Sequence, residues 1–371
     1  MTSENKSIER THLQHDMGGW REKLMSHYRR GQGHLLAYIW NRFQWDYNHK
    51  LGRVPSFPLN IDIEASSTCA LRCDHCFRQY MDMKEDGHMD LDLYKKVVDE
   101  CAENNLFTLK FSMRGEPTAS PDIVEMVQYA RDKGIKEIWV NTHGGHLTDE
   151  MIRGFINAKL DALTISFDGL GEMYESVRIP LRYDRMLERL KMVSQIRKEM
   201  GSQKPRLKVQ ALWSSIKEDP DKFFKTMEPL VDHVAYNIDF DYKKIHLVPD
   251  PDYICYRLWQ RLSVTSVGDV LKCPSDFEKD EVLGNVRTTT LKEIWDTAQE
   301  DERQRHLNGQ RLQSSICEKC HHGATVEHGA KTHGGKEHVG DQIVYEDGFE
   351  GVGLNRKPDE NGNSDTNTKQ S

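Results

Sequence analysis

No stretch of this 371-residue chain approaches the roughly 20 consecutive apolar residues that a membrane-spanning helix needs, so a membrane span is not expected. Positive charge is also short. The 51 Lys and Arg residues are outnumbered by 59 Asp and Glu, and the formal charge of -8 argues against a general nucleic-acid binder, which normally carries a basic balance. That balance leaves room for local basic patches, for example Arg21 to Arg30. The opening residues Met1-Thr2-Ser3-Glu4-Asn5-Lys6 lack the apolar core of an export signal, so a cytoplasmic location is expected. A hydrophobic fraction of 37% and a charged fraction of 30% place the chain on the hydrophilic side of soluble proteins. Its length allows one large domain with a full core and a smaller one beside it.

Cysteine is where the sequence becomes specific. Seven of the eight sit in compact groups: Cys69, Cys73 and Cys76, then Cys255, Cys273, Cys317 and Cys320. Cys101 stands alone in the helical-looking segment 94–101. Grouped thiols without an export signal read as metal sites in a reducing compartment rather than as disulfides. Three thiolates on one tight loop can hold three irons of a four-iron cluster and leave the fourth iron open for a small molecule. A structural zinc site is the competing reading. It wants four ligands, usually in two paired sets, and His75 inside the loop would force its neighbour Cys76 to ligate as well.

Residues 1–57 read as a helical extension packed on the main domain, with a membrane-surface helix as the less favoured alternative. From there a strand–helix alternation predicts strands at 60–65, 107–112, 136–141, 161–167, 206–212 and 233–239, with helices between them. Such alternation implies parallel strands and crossover helices. Six units suit an α/β fold, a partial (β/α)6 TIM-like barrel over 58–245, with its chemistry at the C-terminal ends of the strands. Residues 246–323 form a smaller module carrying the second cysteine group. Residues 324–371 are polar and expected to lack a core. His321, His322, His328, His333 and His338 near that junction read as a solvated, histidine-rich tail rather than a metal site.

The spacing Cys-x3-Cys-x2-Cys in Cys69-Ala70-Leu71-Arg72-Cys73-Asp74-His75-Cys76 resembles the signature of the radical S-adenosylmethionine (radical SAM) enzymes. Further segments are similar to that family's turns: Ser112-Met113-Arg114-Gly115-Glu116-Pro117, with Arg114 in place of a glycine, Asn141-Thr142-His143-Gly144, and Ser166-Phe167-Asp168-Gly169. The resemblance spans roughly residues 58–240. It implies a SAM-binding 4Fe-4S cluster held by Cys69, Cys73 and Cys76. It also implies that His75 lies near the adenine, Gly115 and Glu116 meet the amino group of SAM, Ser166 meets the ribose and Arg178 meets the carboxylate. Asp168 is expected to orient its loop, and Gln210 is a weaker candidate near the nucleoside.

The second group, with intervals of 17, 43 and 2 residues between successive cysteines, has the four thiolates that fully ligate another cluster. A zinc ribbon is the alternative, with His321 or His322 able to replace a cysteine. The segments Cys273-Pro274-Ser275-Asp276, Leu283-Gly284-Asn285-Val286 and Leu291-Lys292-Glu293-Ile294-Trp295 resemble the SPASM/twitch modules of many radical SAM enzymes, which implies an auxiliary 4Fe-4S cluster. Taken together, the resemblance implies an oxidoreductase in which SAM supplies a 5′-deoxyadenosyl radical. Its expected partners are a small polar substrate, sugar- or cyclitol-like, and an external one-electron donor such as flavodoxin or ferredoxin. A peptide substrate is the second expectation, and a non-catalytic iron–sulfur or zinc interaction protein the third. Asn237, Asp239 and Asp241 near the sixth strand are candidates to face the cavity.

Overall fold

The computed structural model describes residues 14–16, 27–28, 30–31, 33–80, 87–237, 247–320, 322–326, 336–339 and 342–345. Its centre is a run of six parallel strands: β2 (Asn60–Ile63), β3 (Thr108–Phe111), β4 (Glu137–Thr142), β5 (Ala162–Ser166), β6 (Arg206–Leu212) and β7 (His233–Asn237), each paired with its sequence neighbours. Crossover helices join them: α2 (Leu91–Glu103), α3 (Ile123–Asp132), α4 (Asp149–Asn157), α5 (Glu172–Val177), α6 (Tyr183–Glu199) and α7 (Pro220–Met227). Several helix starts are written locally. Asp90 accepts the Leu93 amide at 3.0 Å, Thr148 accepts that of Met151, and Asp219 caps α7, whose first residue is Pro220.

Strand alternation gives the sheet two unlike faces. Ile61, Ile63, Leu109, Phe111, Leu163 and Ile165 join the apolar core beneath the helices. Their neighbours in sequence, Asn60, Asp62, Lys110, Thr164, Ser166 and Lys208, therefore point to the opposite, inner face. A closed TIM barrel fills that space with branched aliphatic side chains. Here it is polar.

The sheet extends beyond the six strands expected. β9 (Arg261–Val264) pairs in parallel with β2 and continues antiparallel through β10 (Asp269–Leu271) to β11 (Val282–Asn285). At the other edge, β1 (Gln14–Asp16) pairs antiparallel with β7, so part of the segment expected to be helical is a strand. Its three residues carry no apolar alternation, which is why it left no signal. The edges of the sheet are β1 and β11, and the barrel is open.

The C-terminal module shares the barrel's core instead of having its own. Val270, Val286, Leu291, Ile294 and Trp295 belong to the same cluster of buried residues as Leu93, Val97 and Val98 of α2. The Glu100 carboxylate at the end of α2 accepts the Leu291 and Lys292 amides at 3.0 and 2.8 Å, anchoring the start of α8 (Leu291–Asp296). α9 (Ala298–Leu307) and α10 (Ser315–Glu318) complete the module. Within the segment expected to be a coreless tail, β12 (Ala324–Val326), β13 (Lys336–Val339) and β14 (Gln342–Tyr345) form a second sheet with β8 (Leu247–Pro249).

α1 (Leu35–Tyr47) crosses the N-terminal ends of the strands. Tyr38 packs on Phe107, Arg30 pairs with Glu137 at 2.7 Å, and the Gln260 side-chain amide donates to the Trp45 carbonyl. Its outer face leaves Leu36, Ile39 and Trp40 exposed. Among the described residues no helix is long and apolar enough to cross a membrane.

Candidate functional site

The first cysteine group lies on the loop leaving β2. Cys73 is buried, and Cys69 and Cys76 are half-buried. Burial is the largest influence on all three thiols and raises their pKa values. Cys73 raises Cys69 further, Cys76 raises Cys73, and Cys69 raises Cys76. The three thiols are thus near enough to feel one another's charge.

One buried carboxylate organises the cations around it. Asp168, wholly buried, pairs with Arg178 at 2.5 Å, lies 3.4 Å from His75 Nε2, and accepts the Leu212 amide at 2.6 Å. Arg178 Nη1 is in turn 3.6 Å from Cys73 Sγ. Burial would lower the Arg178 pKa, but Asp168 and Cys73 outweigh it and the guanidinium stays charged. Asp168 was expected only to orient its loop, yet it is the residue that brings His75 and Arg178 to the first site. Its position two residues beyond Ser166 was the available signal.

Gly115 permits the closest approach. A Cβ there would stand 2.2 Å from the Ser66 carbonyl oxygen, so only glycine lets the turn after β3 lie against the cysteine loop. The Glu116 amide closes that contact by donating to the Thr68 carbonyl at 2.8 Å. The Glu116 carboxylate is turned inward, accepting from the Thr118 amide at 3.0 Å, the hydroxyls of Thr118 and Thr142 at 2.5 Å, and the His143 amide at 2.8 Å. It joins two loops, and its lone pairs are largely used. Met113, at φ 105°, bends the turn through a conformation that side chains rarely adopt.

Arg114, the departure from the expected turn, has a structural partner. It forms a two-pronged pair with Glu64 at 2.7 and 2.6 Å, both residues being buried, and Glu64 also accepts the Ser266 amide at 3.0 Å. One carboxylate thereby joins the loops after β2, β3 and β9. Ser166 stands half-buried at the end of β5, in register with Gln210, and its hydroxyl has no hydrogen-bond partner among the described residues. Asn237 lies on the inner face at the end of β7, whereas Asp239 and Asp241 lie outside the described residues.

The second group is gathered from distant segments. Cys255, Cys273, Cys317 and Cys320 line one cavity together with Arg257 and Arg311. Burial pushes Cys255 up to about 12 and raises Cys273 and Cys320 as well. A thiol so placed stays protonated unless metal binding favours the thiolate. The cations point the same way. Arg311 is 1% exposed, and its guanidinium meets the carbonyls of Cys317, His322 and Gly323 and the face of the Tyr253 ring, with no carboxylate partner among the described residues. Arg257 donates to Ser275 Oγ at 3.2 Å and has no carboxylate partner among the described residues. Arg257 is half-buried, but a buried cation such as Arg311 without an anion is costly. A four-thiolate iron–sulfur cluster supplies that anion, so this donor set fits one. His306 Nε2 lies 3.5 Å from Cys317 Sγ, and the His322 amide donates to Cys320 Sγ. His321, His328 and His333 lie outside the described residues. Cys101 is buried in the core on α2, apart from both groups.

Among the described residues, no three or more His, Cys, Asp and Glu side chains converge as a single metal ion requires. The two groups are linked by an aromatic stack. Phe77, next to Cys76, lies 3.8 Å from Phe277, four residues after Cys273, with their planes 9° apart.

Residues 63–201 match the radical SAM superfamily, and residues 255–321 match the SPASM iron–sulfur cluster-binding domain. The chain thus carries a radical SAM domain followed by a SPASM domain. The two domains imply a 4Fe-4S cluster that works with SAM, plus auxiliary iron–sulfur ligation. Among curated proteins, it is 31% identical over 152 residues to the tungsten-containing aldehyde ferredoxin oxidoreductase cofactor-modifying protein of Pyrococcus furiosus, covering 40% of this chain and 42% of that protein. It is 34% identical over 115 residues to the PqqA peptide cyclase of Bradyrhizobium diazoefficiens, covering 31% of this chain and 30% of that one. The matches thus span less than half the length of these relatives, which are enzymes. Among solved structures, BtrN in complex with AdoMet and 2-DOIA superposes with a TM-score of 0.51 at 17% identity, covering 78% of this chain and 98% of that one. At that identity the likeness is one of fold.

Proposed function

We propose that this radical SAM protein is an oxidoreductase acting on an unactivated C–H bond of a small polar metabolite, sugar- or cyclitol-like, held on the inner face of the open barrel. When bound, the first cluster and SAM supply a 5′-deoxyadenosyl radical that removes hydrogen, and the auxiliary cluster supplies an electron sink. Cys69, Cys73 and Cys76 hold the first cluster in this reading, and Cys255, Cys273, Cys317 and Cys320 the second. His75, the Gly115–Glu116 turn, Ser166 and Arg178 form the SAM cradle. Asp168 fixes Arg178 and His75, while Glu116 fixes the turn through its own hydrogen bonds.

The polar inner face carries the substrate assignment. Asn60 Nδ2, Asn141 Oδ1, Thr164 Oγ1 and Ser263 Oγ are buried there without hydrogen-bond partners. Each such atom costs about 1–3 kcal/mol when left unmet. A hydroxyl-rich ligand meets several at once, where an apolar one meets none. Lys110 adds a cation to the same face, near Asp62, which itself pairs with Arg261 at 3.4 Å. The face therefore also suits a ligand carrying negative charge.

The similarity to PqqA peptide cyclase favours a second reading, in which a peptide side chain enters the same space. Protein reconstituted with iron and sulfide without oxygen, then given SAM and a reduced flavodoxin or ferredoxin, tests both. Extracts of cells grown on deuterated sugar are offered as fractions below and above 1 kDa. Deuterium in 5′-deoxyadenosine from the small fraction supports the metabolite, and label only from the peptide fraction moves the assignment to the second reading. Intact SAM at full iron loading rejects the enzyme assignment itself.

A further inference from the structure

We propose that Arg257 is a positioning residue that makes the second cysteine site an electron acceptor, by stabilising the extra negative charge that one-electron reduction places within the four-thiolate cage. The inference rests on the auxiliary site holding an iron–sulfur cluster, and it adds the residue that sets its potential.

Three cationic side chains line that cavity, and they are not equivalent. Lys272, wholly buried, is held by Glu302 at 2.8 Å and Ser314 at 2.6 Å, and also by Glu281, so carboxylates already answer its charge. Arg311 is occupied with the carbonyls of residues 317, 322 and 323 and serves to fold the loop carrying Cys317 and Cys320. Arg257 has one hydroxyl acceptor, Ser275, and lines the cavity beside Cys255, Cys273, Cys317 and Cys320 with no carboxylate partner among the described residues. Its charge is thus directed at the thiols rather than spent on a carboxylate.

Cluster potentials respond to net charge, hydrogen bonds and solvent exposure. A guanidinium cannot lose its proton in a protein, so Arg257 supplies a constant positive field at every working pH. Oxidising a substrate by two electrons, one leaving with the hydrogen atom, requires the second electron to depart toward an acceptor of higher potential. Arg257 raises the potential of that acceptor.

The test is an EPR-monitored redox titration of the reconstituted full chain, with dithionite as reductant and neither SAM nor substrate present. The Cys69→Ala/Cys73→Ala/Cys76→Ala background isolates the second cluster's signal. Arg257→Met is expected to disfavour reduction about tenfold, a fall in midpoint of about 59 mV for one electron. Arg257→Lys, which keeps the charge, is expected to hold most of the wild-type value. Equal midpoints in wild type and Arg257→Met overturn the proposal, as do equal midpoints in the Lys and Met variants. If Arg257→Met does not assemble the cluster, Arg257→Gln takes its place against Arg257→Lys under the same criteria. Failure of both neutral variants to assemble it also overturns the proposal, because Arg257 would then hold the site together rather than tune it. These readings are independent of substrate: an absence of hydrogen abstraction from small metabolites leaves the potential shift standing, and an unchanged potential leaves SAM cleavage standing.

Discussion

The two cysteine sites are built in opposite ways. The first takes its three thiols from eight consecutive residues and is shaped by loops pressed against it, through Gly115, Arg114 and Asp168. The second takes four thiols from segments as far apart as Cys255 and Cys320, and it exists only because the module packs on α2 and β2. A site on one loop can keep its spacing while its surroundings change, so its specificity lies in the neighbours that aim it. A site assembled from afar depends on the fold for its existence. The first offers three thiols and the second four, so in the proposed reading only the first leaves an iron open to a small molecule.

The sharpest way to break that contrast is to remove the brace of the first site. Arg114→Met strands the Glu64 carboxylate in the core and is expected to cost about 3–5 kcal/mol of unfolding free energy, read by urea denaturation. The double variant Glu64→Gln/Arg114→Met should recover much of that. Lys272→Met, the corresponding cut beside the second site, is expected to cost less, because Glu281 is partly open to water and the buried Glu302 keeps Arg305 at 3.3 Å. An equal or larger loss for Lys272→Met would show that the second site is the more tightly braced.

Acid provides the next comparison, since burial holds one histidine beside each site well below its ordinary range. His143, against Glu116, and His306, against Cys317, are both pushed down to about 4, chiefly by burial. Their ordinary value of 6.5 belongs to the unfolded chain, which therefore binds protons first as the pH falls. Stability should be level above pH 6.5 and decline toward pH 4, by up to about 3 kcal/mol per histidine. Thermal midpoints of the metal-free chain across that range check this. His143→Gln and His306→Gln should each flatten part of the decline, and a decline unchanged in both variants would assign the acid response to other groups.

Much of this arrangement was legible beforehand, and the failures have a common cause. The segment 206–212 carries a strand because Leu207, Val209 and Ala211 alternate with polar residues, and its bounds match those of β6. The cysteine loops and the Gly115 turn announce themselves by spacing and residue type. What escaped was pairing at a distance. β9 is four residues inside the module, and nothing local says that it will lie in parallel beside β2. Glu64, Asp168 and Arg257 look like ordinary surface charges until the fold buries them or turns them inward. One hint was available: Asn60, Asp62 and Glu64 recur at every second position of an otherwise apolar strand, which is how a polar inner face is written.

Asp168 distinguishes aiming from building. Asp168→Asn keeps the side chain's shape but removes the charge that holds Arg178 and His75, and outer partners of this kind typically change affinity or activity by 10–100-fold. Dithionite-driven formation of 5′-deoxyadenosine should fall by about that factor, while the iron content stays near wild type. Loss of the first cluster itself would mean that Asp168 builds the site.

The smallest expected effect concerns the contact that joins the two sites. Phe77 and Phe277 stack face to face at 3.8 Å, and each lies within four residues of a cysteine in its own group. Such aromatic pairs contribute about 0.5–1.5 kcal/mol beyond the area they bury. A double-mutant cycle with Phe77→Leu and Phe277→Leu should return a coupling energy in that range. Leucine keeps much of the apolar volume, so the cycle isolates the ring contact from simple burial. If the sites are joined mechanically through this stack, Phe277→Leu should also alter the EPR line shape of the first cluster although the substitution is in the other module. A coupling energy near zero would leave the shared core around α2 as the principal link between the module and the barrel.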